Sequence, residues 1–302
     1  MAEVFEIADG FVDTVASHHP LSATHIGVPG FDHLMPDFSS GAIEAFHTDV
    51  RAALSEMQKA RPMNERERIC KDTFIDETSL TIEKYDSREY LREMNVLFSP
   101  IQNVRSIFDL MSMDSIEDWE NIASRMEKIA ETLSGYRETL NIGRSEELVS
   151  SKRQVIGCAD QCDVWAGDGD TRPFFDSLVA AFASGEIKNE ILGERIEAAA
   201  KSATKAYAEM SRYLSESYLP DATPIDGVGR DRYILAARGY LGTEIDLEET
   251  YAWGWDQLAW VTSEMSSTAE KIQAGASIGE AIEILETDRA RMIRGEEQFR
   301  KW

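Results

Sequence analysis

All five histidines of this chain, His18, His19, His25, His33 and His47, fall within its first fifty residues. Such crowding invites a metal site, but a helical zinc centre needs imidazoles at fixed spacing on one face, as in His-Glu-x-x-His, with the glutamate serving as base. No segment here has that form, and adjacent His18 and His19 project in different directions, so the spacing favours loop and helix-end roles. Cys158 and Cys162 lie one helical turn apart. With no second cysteine pair and no nearby histidine they read as two semi-buried thiols rather than a zinc half-site. Cys70 stands alone. The run Asp168-Gly-Asp-Thr-Arg-Pro173 has the look of a calcium or phosphate loop. It lacks the regular oxygen positions and distal glutamate of an EF-hand, and reads as a turn into the next helix. Gly227-Val-Gly229 supplies two glycines of a dinucleotide fingerprint but follows no strand, so that reading fails as well.

One constellation keeps a chemical reading. Gly229, Arg230 and Tyr233 meet at a junction between loop and helix. There, backbone amides can receive an anion, Arg230 can hold a carboxylate and Tyr233 can offer a hydroxyl to a cleft. A plainer reading competes, in which Arg230 and Arg232 pair with neighbouring acids. No catalytic and no metal-ligating residue is assigned.

The elements that must position these residues are helices throughout. Trp119, Ile122, Met126, Ile129, Leu133, Tyr136 and Leu140 alternate three- and four-residue steps behind a cap at Asp114 or Ser115, and Gly143 is placed at the end of that helix. A long helix from about Asn189 to Ser217 carries Leu192, Ile196, Ala199, Ala203, Ala206, Met210 and Leu214, its alanines suited to close helix contact. Pro20 closes an opening helix, Asn64 caps a third, and Ser99-Pro100 starts another. The stretch Tyr218–Met265 begins as a breaker-rich loop and ends as a strongly apolar helix capped by Asp246, with Leu247, Tyr251, Gly254, Leu258, Val261 and Met265 in one stripe and Trp253, Trp255 and Trp260 beside it. That pattern predicts a central, buried helix in which Gly254 admits another backbone, and a cost on the order of 3 kcal/mol for truncating Trp253 or Trp260 to alanine. No convincing strand candidate occurs, so the expected fold is all-α, an irregular multi-helix lobe rather than a repeat. Residues 1–302 are taken as one lobe with a sub-boundary at the loop 219–229.

Composition narrows the function classes. A formal charge of -24, from 55 acidic against 31 basic residues, opposes binding to nucleic acid or to an anionic membrane surface. No apolar run spans a bilayer, the first residues carry acids where a secretory signal has bases, and three irregularly spaced cysteines fit a reducing compartment. A cytoplasmic protein is expected.

Several segments resemble a bacterial family known as domain of unknown function 885. They are Pro20-Leu-Ser-Ala-Thr-His-Ile-Gly27, Asn95 with Ser99-Pro-Ile-Gln102, Gly229-Arg-Asp-Arg-Tyr233, Gly239-Tyr-Leu-Gly242 and Asp246-Leu-Glu-Glu-Thr-Tyr-Ala-Trp-Gly-Trp255. The resemblance spans nearly the whole chain and implies a helical, gluzincin-like zinc metallopeptidase with two lobes around a substrate channel. The zinc signature of that kind, similar to His-Glu-x-x-Pro-Gly-His, is absent from these residues. The resemblance therefore implies an N-terminal lobe forming channel wall, with no cofactor of its own, zinc in a longer parent protein, and a catalytic half beyond residue 302 as its partner. A peptide or small molecule would occupy the cleft. The alternative is a non-catalytic helical binding or scaffold module.

Overall fold

A computed structural model describes residues 3–167, 171–290 and 292–302. The loop reading at Asp168–Asp170 lies outside the described residues. The described residues form α1 (Glu3–His18), α2 (Pro20–Ile26), α3 (Ser40–Lys59), α4 (Glu65–Asp86), α5 (Pro100–Ser106), α6 (Ile116–Ser145), α7 (Lys152–Ala166), α8 (Phe174–Ser184), α9 (Glu190–Arg212), α10 (Arg230–Leu241), α11 (Leu247–Ile272), α12 (Ile278–Thr287) and α13 (Gly295–Lys301). The fold is all-α, with an isolated bridge between Ser151 and Thr223 as its β pairing among these residues. They divide into two compact units, Met1–Leu235 and Ala236–Trp302.

Local chemistry explains where the helices of the first unit begin. The Ser39 hydroxyl accepts from the Ala42 amide, Asn64 Oδ1 from Glu67, and Asn189 Oδ1 from Leu192, each satisfying a donor that a helix start leaves open. Ser115 and Asp118 cap α6 reciprocally. Pro20 ends α1 as expected, yet it also occupies the first turn of a further helix, α2, where its missing amide costs nothing.

Alpha 6 is the axis of this unit. Every member of its seven-residue apolar stripe, Trp119 through Leu140, is buried. The alanine face of α9 lies along it, with α7 and α8 packed on α9. Tyr136 and Tyr207 are fully buried because their hydroxyls donate to the backbone carbonyls of Glu93 (2.5 Å) and Ile101 (2.9 Å). Gly143 does not end α6: the helix runs on to Ser145, and Gly143 is needed inside it because the carbonyls of Leu91 and Leu148 come against that position. Cys158 and Cys162 face the core together and are fully buried, more than semi-buried thiols. Burial raises both thiol pKa values, which keeps them protonated and unreactive.

In the second unit, α11 packs on α12. Here the expectation of a central helix is overturned. Trp253, Trp255 and Trp260 are each more than half exposed, as are Tyr251 and Leu258, and nothing lies within 4 Å of a Cβ placed on Gly254. The stripe is real, but burial needs a partner surface, and a ten-residue helix cannot cover a helix of 26 residues. Trp253→Ala and Trp260→Ala are accordingly expected to cost below about 1 kcal/mol each in this chain, not 3. Urea denaturation followed by far-UV circular dichroism checks this, and a loss near 3 kcal/mol would restore the buried placement.

Candidate functional site

The junction carrying Gly229, Arg230 and Tyr233 is built from the end of α9 onward. There the helix widens into a π-helical turn, Tyr213–Tyr218, before the chain leaves it. Tyr218 is buried, and its hydroxyl accepts from the Ser150 amide at 3.0 Å while the Ser150 hydroxyl donates to the Arg92 carbonyl at 2.6 Å. The Thr223 amide then donates to Ser150 O at 3.1 Å, and the Lys152 amide to Thr223 O at 2.8 Å. Two ion pairs, Arg144 with Asp221 at 2.6 Å and Arg153 with Asp226 at 2.9 Å, fasten the outer side. The loop after Tyr218 is thus held on the end of α6 and the start of α7.

Gly229 has φ of +83°, a left-handed turn that lets the loop swing into α10, and its carbonyl accepts the first helical bond from Tyr233. Arg232 faces inward, its Nε 2.9 and 2.8 Å from the two carboxylate oxygens of Glu89 and its outer nitrogen 2.7 Å from one of them. Glu89 also receives Arg92. Burial would raise the Glu89 pKa, but the two guanidinium groups outweigh it and hold the carboxyl below its usual range. Arg232 thus pairs with an acid, as the plainer reading has it, but with one 143 residues away rather than a neighbour, and Arg230 is engaged as well.

Gly229, Arg230 and Tyr233 are brought together on an exposed surface, Tyr233 at 53% exposure. Amides, a guanidinium and a phenol at one helix start can meet a carboxylate, with Asp226 and Asp231 in the same stretch of chain.

Sequence reasoning missed a cleft of about 270 Å³ lined by Thr24, Asp32, Met111, Ser112, Asp118 and Asn121. Behind it Arg125, fully buried, donates to the carbonyls of Leu34 (3.0 Å), Pro20 and Phe31 (3.3 Å each) and to the Thr24 hydroxyl (2.7 Å), which donates in turn to Asp32 (2.6 Å). Desolvation lowers the Arg125 pKa to about 10, with Asp32 opposing, so it stays charged at neutral pH. Asp118 is no base: burial works to raise its pKa, but hydrogen bonds from Ser115, Ser112 and Asp114 hold it low. An arginine at the i+4 position from Asn121 on an otherwise apolar stripe was the available signal, and its acceptors are about a hundred residues away.

Among the described residues no group of three or more His, Cys, Asp or Glu is placed to hold a metal ion. Three of the histidines, His18, His19 and His47, gather around the Phe46 ring, not around a metal-ligand set. His18 pairs with Asp49, and His25 lies in the last turn of α2, whereas His47 is buried in the middle of α3 rather than at a loop or helix end, because its ring stacks on Tyr85. No described helix is long and apolar enough to cross a membrane.

Comparison with known proteins adds family and fold. The family described as bacterial protein of unknown function (DUF885) matches residues 20–302. No curated protein matches. A solved structure, that of "the putative lipoprotein from Colwellia psychrerythraea", superposes with a TM-score of 0.74 at 13% identity over 99% of this chain, a likeness that shows the fold alone. This chain spans 56% of that one, little more than half its length.

Proposed function

The chain belongs to the bacterial DUF885 family, and from that premise we propose that it serves as the N-terminal helical lobe of a zinc-dependent peptidase, forming one wall of a substrate channel while the metal site lies outside residues 1–302. The observation that carries this reading is the exposure of large apolar side chains on both sides of α11, Tyr251, Trp255 and Leu258 on one and Trp253 and Trp260 on the other, each more than half exposed, which further protein packed around the helix would cover. A fold shared with a chain nearly twice as long supports it. In this reading Gly229, Arg230 and Tyr233 face the channel, Arg230 receiving a peptide carboxylate and Tyr233 donating its hydroxyl. Zinc belongs to the longer parent protein. The free thiols Cys70, Cys158 and Cys162 fit a reducing, cytoplasmic setting.

The test is the longest protein encoded in frame with these residues. It is expected to hold one zinc per chain and to cleave peptides. Arg230→Ala and Tyr233→Phe should each raise KM about three- to thirtyfold with little change in kcat, as loss of one or two substrate contacts does. A longer product without zinc or hydrolysis would leave the non-catalytic binding module as the better reading. Tight zinc on residues 1–302 alone would contradict the placement of the metal.

A further inference from the structure

The histidine-bearing helices at the start of the chain hold a device that the channel reading does not use. Helices α1, α3 and α4 share a small core of their own, Val4, Met57 and Ala60 with Ile7, Cys70, Phe74 and Ile75 around it, separate from the main core on α6. Their other end is closed by a file of rings. His47 of α3 stacks on Tyr85 of α4 at 4.1 Å and 23°, and Tyr85 stacks on Tyr90 at 5.1 Å and 12°. Phe46 meets the His47 ring edge-on at 5.2 Å and the His19 ring at 4.4 Å, joining the end of α1 to the file. His47 is 9% exposed, and its Nδ1 is buried without a hydrogen-bond partner in the protein.

We propose that this ring file is an acid-released latch: a proton on His47 opens the α1, α3 and α4 layer while the core on α6 and α9 stays folded. A neutral imidazole stacks well on a phenol and tolerates an idle ring nitrogen. An imidazolium in the same place has a second N–H that must find an acceptor, and none is within reach.

The charged groups around the ring act in both directions, with the lowering ones ahead. On α1 stand His19 and His18, the latter paired with Asp49 at 2.9 Å. Helix α3 brings Glu44, Asp49 and Arg51; α4 brings Asp86, which Arg51 engages at 2.5 Å; and Glu89, beside Tyr90, is taken by Arg92 and Arg232. Burial lowers the His47 pKa most, Arg51 and His19 lower it further, and Asp86 opposes, for a value of about 4 against the ordinary 6.5. His19 is lowered for the same reasons, burial first and then His18. The unfolded layer thus binds protons that the folded layer refuses. The stabilisation is complete above pH 6.5 and is lost as the pH falls toward 4.

The layer can part from the core because α3 touches α6 only lightly, and the two are joined mainly through α2, segment 31–39 and the turn Glu89–Arg92. Segment 31–39 is fixed on α6, where Thr132 donates to Pro36 O and Thr139 to Phe38 O, while α3 begins only beyond that anchor at the Ser39 cap. Opening there is a sub-global event, not unfolding of the chain.

Hydrogen exchange of the whole chain, read by mass spectrometry at pH 7 and pH 5 with intrinsic rates corrected, tests the latch. Amides in α3 and α4 should lose about twentyfold in protection at pH 5 from His47 alone, while those of α6 and α9 change little. His47→Phe keeps an aromatic ring without the proton and should remove the twentyfold share, leaving only the part that His19 contributes. His47→Gln, which does the same with a smaller polar group, serves if the first variant folds poorly. Equal protection at both pH values, loss across α6 and α9 together with α3 and α4, or an undiminished acid response in both variants would each overturn the latch.

Discussion

Arg125→Met is expected to destabilise the first unit by about 3–5 kcal/mol, the range found when one member of a buried charged network is removed. Methionine keeps most of the stem's packing, so the loss falls on the polar end. Three backbone carbonyls, of Pro20, Phe31 and Leu34, lose their charged donor inside the protein, and the Thr24 hydroxyl, which links Arg125 to Asp32, loses its own. Phe31 O keeps the Leu34 amide and Pro20 O the Thr24 hydroxyl, so the desolvation cost of about 1–3 kcal/mol for an orphaned acceptor falls on Leu34 O. Arg125→Lys should fall between, since one ammonium cannot serve acceptors spread over α2 and the following loop. Urea denaturation measures the effect as a lower midpoint at unchanged slope. Thr24→Val closes a double-mutant cycle, with a coupling of about 1 kcal/mol or more expected for residues in direct contact. A loss below 1 kcal/mol for Arg125→Met would mean that the segment Pro20–Leu34 is held by other contacts.

Gly143→Ala is the second large effect, and it runs against helix propensity. In an open helix this exchange stabilises by about 1 kcal/mol. At position 143 the new Cβ would come closer than 3.0 Å to the carbonyl oxygens of both Leu91 and Leu148, and backbone cannot rotate away as a side chain can. The short 3-10 turn Glu89–Arg92 would have to move, and with it Glu89, which holds Arg232. A net loss of about 2–3 kcal/mol is expected, overpacking at the upper end of its usual range after the propensity gain is subtracted. Gly10→Ala in α1 is the control, because nothing lies within 4 Å of its Cβ and a gain up to about 1 kcal/mol should follow. Equal, stabilising effects at both positions would show that α6 and the 89–92 turn do not press on each other as described.

The two substitutions mark the boundary between local and distant information. Helix starts at Ser39, Asn64, Ser115, Asn189 and Asp246, and the full stripe of α6, are written in residues three or four apart, so the chain alone determined them and with them the all-α class. The same locality placed Gly229, Arg230 and Tyr233 at one junction. Gly143 looked like a helix end because a glycine inside a helix is locally unfavourable, and only the approach of Leu91, over fifty residues earlier, explains it. Arg125, Arg232 and His47 likewise owe their roles to partners brought from elsewhere in the chain. Helix α11 shows the limit most plainly. Its sequence determined an apolar stripe, but amphipathicity states only that a face prefers to leave water, and the tertiary structure decided that, within residues 1–302, this face stays exposed.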